Sequence, residues 1–223
     1  MSRRVSAIIP AGGVGKRFGL NSKKQYYLFN NKPIIYYTLE KLISAYAFYE
    51  IIIGAAKEDY EFLGKVCKQL NIGNVKFAEK GAERYNTVYN AVKQSCGDYI
   101  LVHDAVRPCV DKDVVVNVIN SAFDSGAAIC GIKPSDTVKS VEKGRVKKTL
   151  DRNKLLMVHT PQCFIREILV KSLENILPSD SITDDSSAVE LAGYDVTVVM
   201  SNPENIKITT KSDLVFLEKY VNV

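Results

Sequence analysis

Val5-Ser-Ala-Ile-Ile-Pro10-Ala-Gly-Gly-Val-Gly15-Lys-Arg-Phe-Gly-Leu20-Asn-Ser-Lys-Lys-Gln25 is the stretch that decides the fold. A short apolar run, residues 5–9, leads straight into a glycine-rich loop. Gly12, Gly13 and Gly15 can take backbone angles closed to other residues and let a ligand approach the main chain. Lys16, Arg17, Lys23 and Lys24 follow within ten residues. Bare N–H groups beside clustered cations suit a polyphosphate. The spacing excludes two familiar loops. A Walker A loop needs Gly, four residues, then Gly-Lys-Ser/Thr, but Gly15-Lys16 is followed by Arg17. A dinucleotide loop needs G-x-G-x-x-G opening a helix, but Phe18 occupies the third glycine position, and residues 21–24 are polar and basic. What is left is a strand followed by a long basic loop, at the strand end where open α/β sheets bind ligands.

The rest of the chain alternates in the same way. Residues 51–56, 75–77, 99–103 and 127–132 read as short buried strands rich in β-branched side chains. Residues 34–44, 59–70, 87–94 and 114–123 have helical spacing. This is the alternation of a βαβ sheet. Residues 137–150 interrupt it: Val138, Val141, Val146 and Leu150 flank Lys143-Gly144, a hairpin turn. Helices are expected over 165–176 and after Thr183, strands over 196–199 and 206–208, and a last helix opened by a Thr210/Asp213 capping box.

Composition narrows the function. At 223 residues with 46% hydrophobic content the chain fits one domain with a sizeable core. The net charge of +5 is spread along the chain, which favours a small anionic substrate over a nucleic acid. No apolar run approaches the ~20 residues that span a bilayer, so no membrane role is expected. Cys67, Cys96, Cys109, Cys130 and Cys163 are odd in number and form no C-x-x-C pair. Reduced thiols in a cytoplasmic protein are the expectation, with neither zinc nor disulfides.

Several constellations have chemistry of their own. His103-Asp104-Ala105-Val106-Arg107-Pro108 ends the fourth of those strand-like runs from the N-terminus, counting residues 5–9 as the first. Asp104 there is suited to a ribose hydroxyl or a magnesium ion and Arg107 to a phosphate; a capping Asp with an Arg partner is the alternative. His103 is read as structural. Gly81-Ala82-Glu83-Arg84 precedes a helix and can offer backbone groups to a base or phosphate. Arg152, at the exit of the hairpin, suits bidentate contact with a phosphate. Lys207, between two isoleucines, is either edge protection or a buried charge awaiting an anion, and we favour the anion.

Taken in order, these segments resemble the sugar- and polyol-phosphate cytidylyltransferases. The likeness runs nearly end to end: Ala11-Gly12-Gly13-Val14-Gly15-Lys16-Arg17, Lys24-Gln25-Tyr26, Lys32-Pro33-Ile34, residues 103–108, Thr149-Leu150-Asp151-Arg152, Thr160-Pro161-Gln162-Cys163-Phe164, Thr183-Asp184-Asp185 and Asn205-Ile206-Lys207-Ile208-Thr209. The resemblance implies a Rossmann-like α/β fold. Its mixed, mostly parallel sheet would have helices on both faces, in a single nucleotidyltransferase domain over 1–223. Residues 136–160 would form an inserted dimerisation arm. It implies transfer of a cytidylyl group from CTP, with magnesium, to a polyol phosphate, releasing pyrophosphate. The branch that uses 2-C-methyl-D-erythritol 4-phosphate in isoprenoid precursor synthesis is favoured; a ribitol-5-phosphate enzyme is the alternative.

By the same likeness, Arg17, Lys24 and Lys207 would be catalytic. Ala11, Gly12, Gly13, Gly15 and Lys16 would hold the phosphates, Gly81 and Thr87 the cytosine, and Asp104 the ribose and, as a candidate, the metal. Arg107, Thr137, Arg152 and Thr160 would hold the acceptor, with Thr137 and Arg152 serving the neighbouring subunit of a homodimer. Lys23, Pro10 and Ala82 depart from the family pattern, where a proline, a small residue and an acid are usual. A nicotinamide oxidoreductase is excluded by the loop spacing. A non-catalytic nucleotide-binding module explains the basic loop but not Lys207 and Arg152.

Overall fold

A computed structural model describes residues 3–15, 18, 23–176 and 181–221. Lys16 and Arg17 lie outside the described residues. The strands are β1 Val5–Pro10, β2 Leu28–Phe29, β3 Lys32–Pro33, β4 Glu50–Ala55, β5 Val75–Glu79, β6 Tyr99–Val102, β7 Ala127–Ile132, β8 Lys139–Glu142, β9 Arg145–Thr149, β10 Met157–Ile165 and β11 Thr197–Met200. The helices are α1 Ile34–Ala45, α2 Tyr60–Gln69, α3 Arg84–Gln94, α4 Lys112–Ser125, α5 Arg166–Glu174, α6 Asp185–Leu191 and α7 Leu214–Val221.

Seven strands form one sheet in the order β11-β7-β10-β6-β1-β4-β5. Only β10 runs antiparallel to its neighbours, β6 and β7. A strand buried on both faces needs apolar residues at every position, and alternate ones feed opposite layers. Thus Val5, Ala7 and Ile9 of β1, with Ile51, Ile53 and Ala55 of β4, pack against α1, α2, α4 and α7. Ile8 and Ile52 face the other way, into a core shared with α3, α5 and α6. This two-sided burial is why the expected strands and helices form, within a few residues of the expected bounds. Gly126, at φ 88°, takes the left-handed turn that ends α4.

One expectation fails, and one strand is unexpected. Residues 206–208 are not a strand: Ile208 N–H donates to the Val106 carbonyl (2.9 Å), and no ladder forms. The segment is instead an irregular loop pinned by buried Asn205, whose amide donates to the Thr160 carbonyl (2.8 Å). Conversely, β10 was not foreseen, because Pro161 interrupts its apolar run. The strand tolerates that proline because its register against β7 shifts between His159 and Gln162.

The hairpin β8–β9 turns at Lys143-Gly144, both with positive φ, as the sequence requires. Every residue of both strands is exposed, including Val141 and Val146. The Thr210/Asp213 capping box forms too, opening a 3₁₀ turn that runs into α7.

Candidate active site

The sheet reverses its winding order at β1, and the loops after β1, β5 and β6 enclose a cleft of about 470 Å³ there. Gly12, Gly13 and Gly15 line one wall, Lys80, Gly81 and Thr87 another, and Asp104 and Lys207 the floor. Among the described residues, four cations (Lys24, Lys80, Arg84, Lys207) face two carboxylates (Glu83, Asp104) around it. The excess of positive charge suits a polyanion.

The glycine wall works in two different ways. Gly15 takes φ 64°, the left-handed region. At Gly12 a Cβ would lie 2.7 Å from the Lys80 Cβ, so close approach explains that glycine. Gly13 has neither constraint: a Cβ there would meet nothing within 4 Å. The loop is held from behind by Gln25, which sequence reasoning quoted but gave no role. Its buried amide donates to the carbonyls of Ala11 (2.5 Å) and Gly13 (3.0 Å). Lys24, in the same 3₁₀ turn, faces the cleft. On the opposite wall the Gly81 N–H donates to the Thr87 hydroxyl (3.0 Å), which in turn donates to the Glu83 carbonyl (3.3 Å). Of the three departures, Pro10 ends β1, Ala82 lines the cleft exposed, and Lys23 makes ion pairs.

Asp104 is the centre of the floor. Its carboxylate meets Lys207 at 2.8 Å, Arg84 at 3.2 Å and Arg107 at 3.5 Å. Burial pushes this carboxyl up, but Arg84, then Lys207 and Arg107, outweigh it and hold it well below the usual carboxylate range. Arg84 continues the network to buried Asp185 (2.8 Å). Sequence reasoning assigned Arg84 no role, because its two acid partners lie on distant segments, Asp185 being 101 residues away. Lys207, read as a charge awaiting an anion, already has one in Asp104. Arg107 is buried and donates to the Asn205 carbonyl (2.6 Å), so it braces the loop that presents Lys207.

Asp104 was also a metal candidate. Among the described residues no cluster of three or more His, Cys, Asp or Glu could hold a metal, and both Asp104 oxygens are already ion-paired. The donor set fits a divalent cation carried by a polyphosphate, with Asp104 as one carboxylate nearby. Because Asp104 compensates three partly buried cations, Asp104→Asn should cost about 3 kcal/mol of stability. We expect urea unfolding to show this alongside any loss of activity; an unchanged midpoint would remove the network from the account.

His103 is fully buried. Its Nε2–H donates to the Arg107 carbonyl (3.1 Å), leaving Nδ1 to accept from the Thr160 hydroxyl (3.1 Å), which itself accepts the Asp104 N–H (3.0 Å). Thr160, a candidate acceptor residue, therefore spends its hydroxyl on positioning Asp104. Burial pushes the His103 pKa down to about 4. The unfolded chain then takes up this proton at a higher pH than the folded one. Stability is complete above about pH 6.5 and falls as pH drops towards 4, by roughly 3 kcal/mol in all. Denaturant midpoints measured from pH 7 to 4 should show this loss, and His103→Gln should reduce it, leaving the share of His159, which burial also pushes down to about 4.

Thr137 and Arg152 are exposed and line neither this cleft nor the smaller adjoining pocket formed by Arg107, Thr160 and Lys207. Arg152 donates to the Ser135 carbonyl at the base of the hairpin.

Comparison with known proteins shows the family. The family model described as 2-C-methyl-D-erythritol 4-phosphate cytidylyltransferase matches residues 5–223. A curated protein of that name from Bacillus cereus is 38% identical over 219 residues, covering 97% of each chain. One from Clostridium botulinum is 39% identical over 220 residues, covering 96% of each. Among solved structures, the Francisella tularensis protein of the same name is 33% identical with a TM-score of 0.80, covering 98% of this chain and 100% of that one. A 4-diphosphocytidyl-2C-methyl-D-erythritol synthase from Anaerococcus prevotii superposes with a TM-score of 0.87 at 26% identity, covering 99% of both.

Proposed function

The chain belongs to the 2-C-methyl-D-erythritol 4-phosphate cytidylyltransferase family, and from that premise we propose that it joins CTP to methylerythritol phosphate in isoprenoid precursor synthesis. The observation that carries the reading is the cation-rich cleft at the β1 switch point, walled by the glycine loop and floored by the Asp104–Lys207 pair.

The reaction needs little covalent help. A phosphate oxygen of the acceptor attacks the α-phosphorus of CTP and forms the new P–O bond. The α–β P–O bond breaks, and pyrophosphate leaves with the electron pair. Both reactants are anions, so the barrier is electrostatic and is lowered by positioning and charge neutralisation. In this reading the Gly12–Gly15 backbone and Lys24, with Lys16 and Arg17, hold the triphosphate. Gly81 and Thr87 present the wall for cytosine. Asp104 lies near the ribose and fixes Lys207 over the acceptor phosphate, with Arg107 bracing it. A magnesium ion carried by the triphosphate, with Asp104 as the nearby carboxylate, would supply further charge neutralisation.

No described residue lining the main cleft is Cys or His. Elsewhere burial pushes three thiols up, Cys67 and Cys109 to about 11 and Cys130 to about 12, so these three are poor nucleophiles. Direct transfer is therefore the mechanism we favour.

The protein is read as a cytoplasmic homodimer. Among the described residues no helix is long and apolar enough to cross a membrane. The fully exposed hairpin, with Val141 and Val146 uncovered and Arg152 at its base, suits an arm laid on a second copy. Pyrophosphate release should be measured for each nucleoside triphosphate with methylerythritol phosphate and with ribitol 5-phosphate. We expect turnover with CTP and methylerythritol phosphate in the presence of magnesium. Preference for ribitol phosphate would move the chain to the other branch, and no turnover with any pair would overturn the enzyme reading.

A further inference from the structure

We propose that Lys23 and Asp59 act as positioning residues that set the nucleotide loop in its working place. Lys23 immediately precedes the 3₁₀ turn Lys24–Tyr26, with φ −62° and ψ 111°. That short turn does three jobs. Lys24 faces the cleft, Gln25 holds the Ala11 and Gly13 carbonyls, and Tyr26 points away from the loop towards α2. Its attachment to the rest of the fold therefore governs both the loop and a cleft cation.

The attachment is Asp59. One of its oxygens takes the Lys23 ammonium at 2.5 Å and the Tyr26 hydroxyl at 3.2 Å. Glu58 adds a second, longer contact to Lys23 at 3.4 Å. Asp59 stands at the N-cap of α2, where an aspartate ordinarily accepts backbone N–H bonds of its own helix. Here its side chain makes no such bond and is spent on the neighbouring loop. The Tyr26 ring also packs edge-on against Phe62 of α2, with centroids 5.1 Å apart.

An exposed ion pair is worth little. This one is not fully exposed: the Lys23 and Asp59 side chains keep 24% and 13% of their exposure. The contact also joins the loop after β1 to the loop after β4, two segments at the carboxyl ends of adjacent strands. Beneath them Gly15 sits so close to Lys24 that a Cβ would lie 3.3 Å from its backbone nitrogen. A slip of the turn is therefore transmitted to the glycine wall. Misplacement by a fraction of an ångström matters at a site that works by alignment.

The inference rests on the CTP reading and is tested by a double-mutant cycle on Lys23→Ala and Asp59→Ala. CTP–magnesium binding would be measured by calorimetry, and kcat and both KM values with CTP and methylerythritol phosphate. Each single change should weaken CTP binding and kcat/KM for CTP about tenfold. The acceptor KM should stay within twofold and the melting temperature within a few degrees. The double variant should be no worse than Asp59→Ala alone, because that change already removes the Lys23 contact together with the Tyr26 one, and Lys23→Arg should keep most of the activity. If Asp59→Ala fails to fold, Asp59→Asn and Lys23→Gln make the same cycle. CTP binding within twofold of wild type in the singles, or a hundredfold loss in the double, overturns the proposal. Wild-type protein that neither binds nor turns over CTP would instead overturn the functional reading beneath it.

Discussion

Lys24→Ala should lower kcat by roughly 10²–10³, the usual scale for removing one preorganised donor from developing transition-state charge. The residue faces the cleft from a turn whose backbone is fixed by Gln25 and by the glycine wall. Its charge is therefore delivered to one place rather than averaged over a mobile side chain. Ground-state CTP binding should fall less than kcat, because the crowding of negative charge peaks when the acceptor phosphate closes on the α-phosphorus. Folding should change little, since a partly exposed charge contributes little to stability. Arg17→Ala, in the same loop, is expected to behave alike. Steady-state rates with magnesium, set beside thermal unfolding, check both variants. Near-normal turnover in Lys24→Ala would remove it from the catalytic set.

A second large effect is expected from the arm. Arg152 lines neither the main cleft nor the adjoining pocket of its own chain, whereas Lys207 sits on the cleft floor. If the arm crosses a two-fold axis, each active site combines Lys24 and Lys207 of one subunit with Arg152 of the other. Arg152→Ala and Lys207→Ala homodimers should both bind CTP and use the acceptor poorly. A heterodimer of the two has one site with both defects and one with neither, because a two-fold interface repeats each contact once. It should regain about half the wild-type activity per dimer. Tandem purification of differently tagged chains, followed by rate measurement, gives the answer. A verified heterodimer with no recovery would mean that Arg152 serves its own subunit or none.

The parts of this fold legible in the sequence are those governed by local rules. β1, β4, β6 and β7 are visible because strands buried on both faces are continuous apolar runs, and the hairpin because Lys143-Gly144, a hairpin turn, is flanked by Val138, Val141, Val146 and Leu150. What escaped depends on distant partners. β10 reads poorly because Pro161 breaks its pattern, and only the register shift against β7 shows how the sheet accommodates it. Ile206-Lys207-Ile208 reads as a strand, yet Asn205 and Arg107 impose a loop on it.

The site divides along the same line. The glycine loop and Asp104 could be picked out because short motifs mark them. Arg84, Gln25 and the Lys23–Asp59 contact could not, because their meaning lies in partners on other segments. Asp104 itself has a second role beside the one its position suggests. Three surrounding cations make it a keystone of charge balance as much as a ligand for the substrate.

The central claim is that CTP and the acceptor phosphate react directly in this cleft, by one in-line displacement assisted by fixed cations. Stereochemistry at the α-phosphorus tests it most directly. CTP carrying a chiral α-thiophosphate of known configuration should be turned over with methylerythritol phosphate, and the configuration of the product assigned by phosphorus NMR. The account predicts inversion, the outcome of a single displacement. Retention would mean two displacements through a nucleotidyl–protein intermediate, and would contradict it.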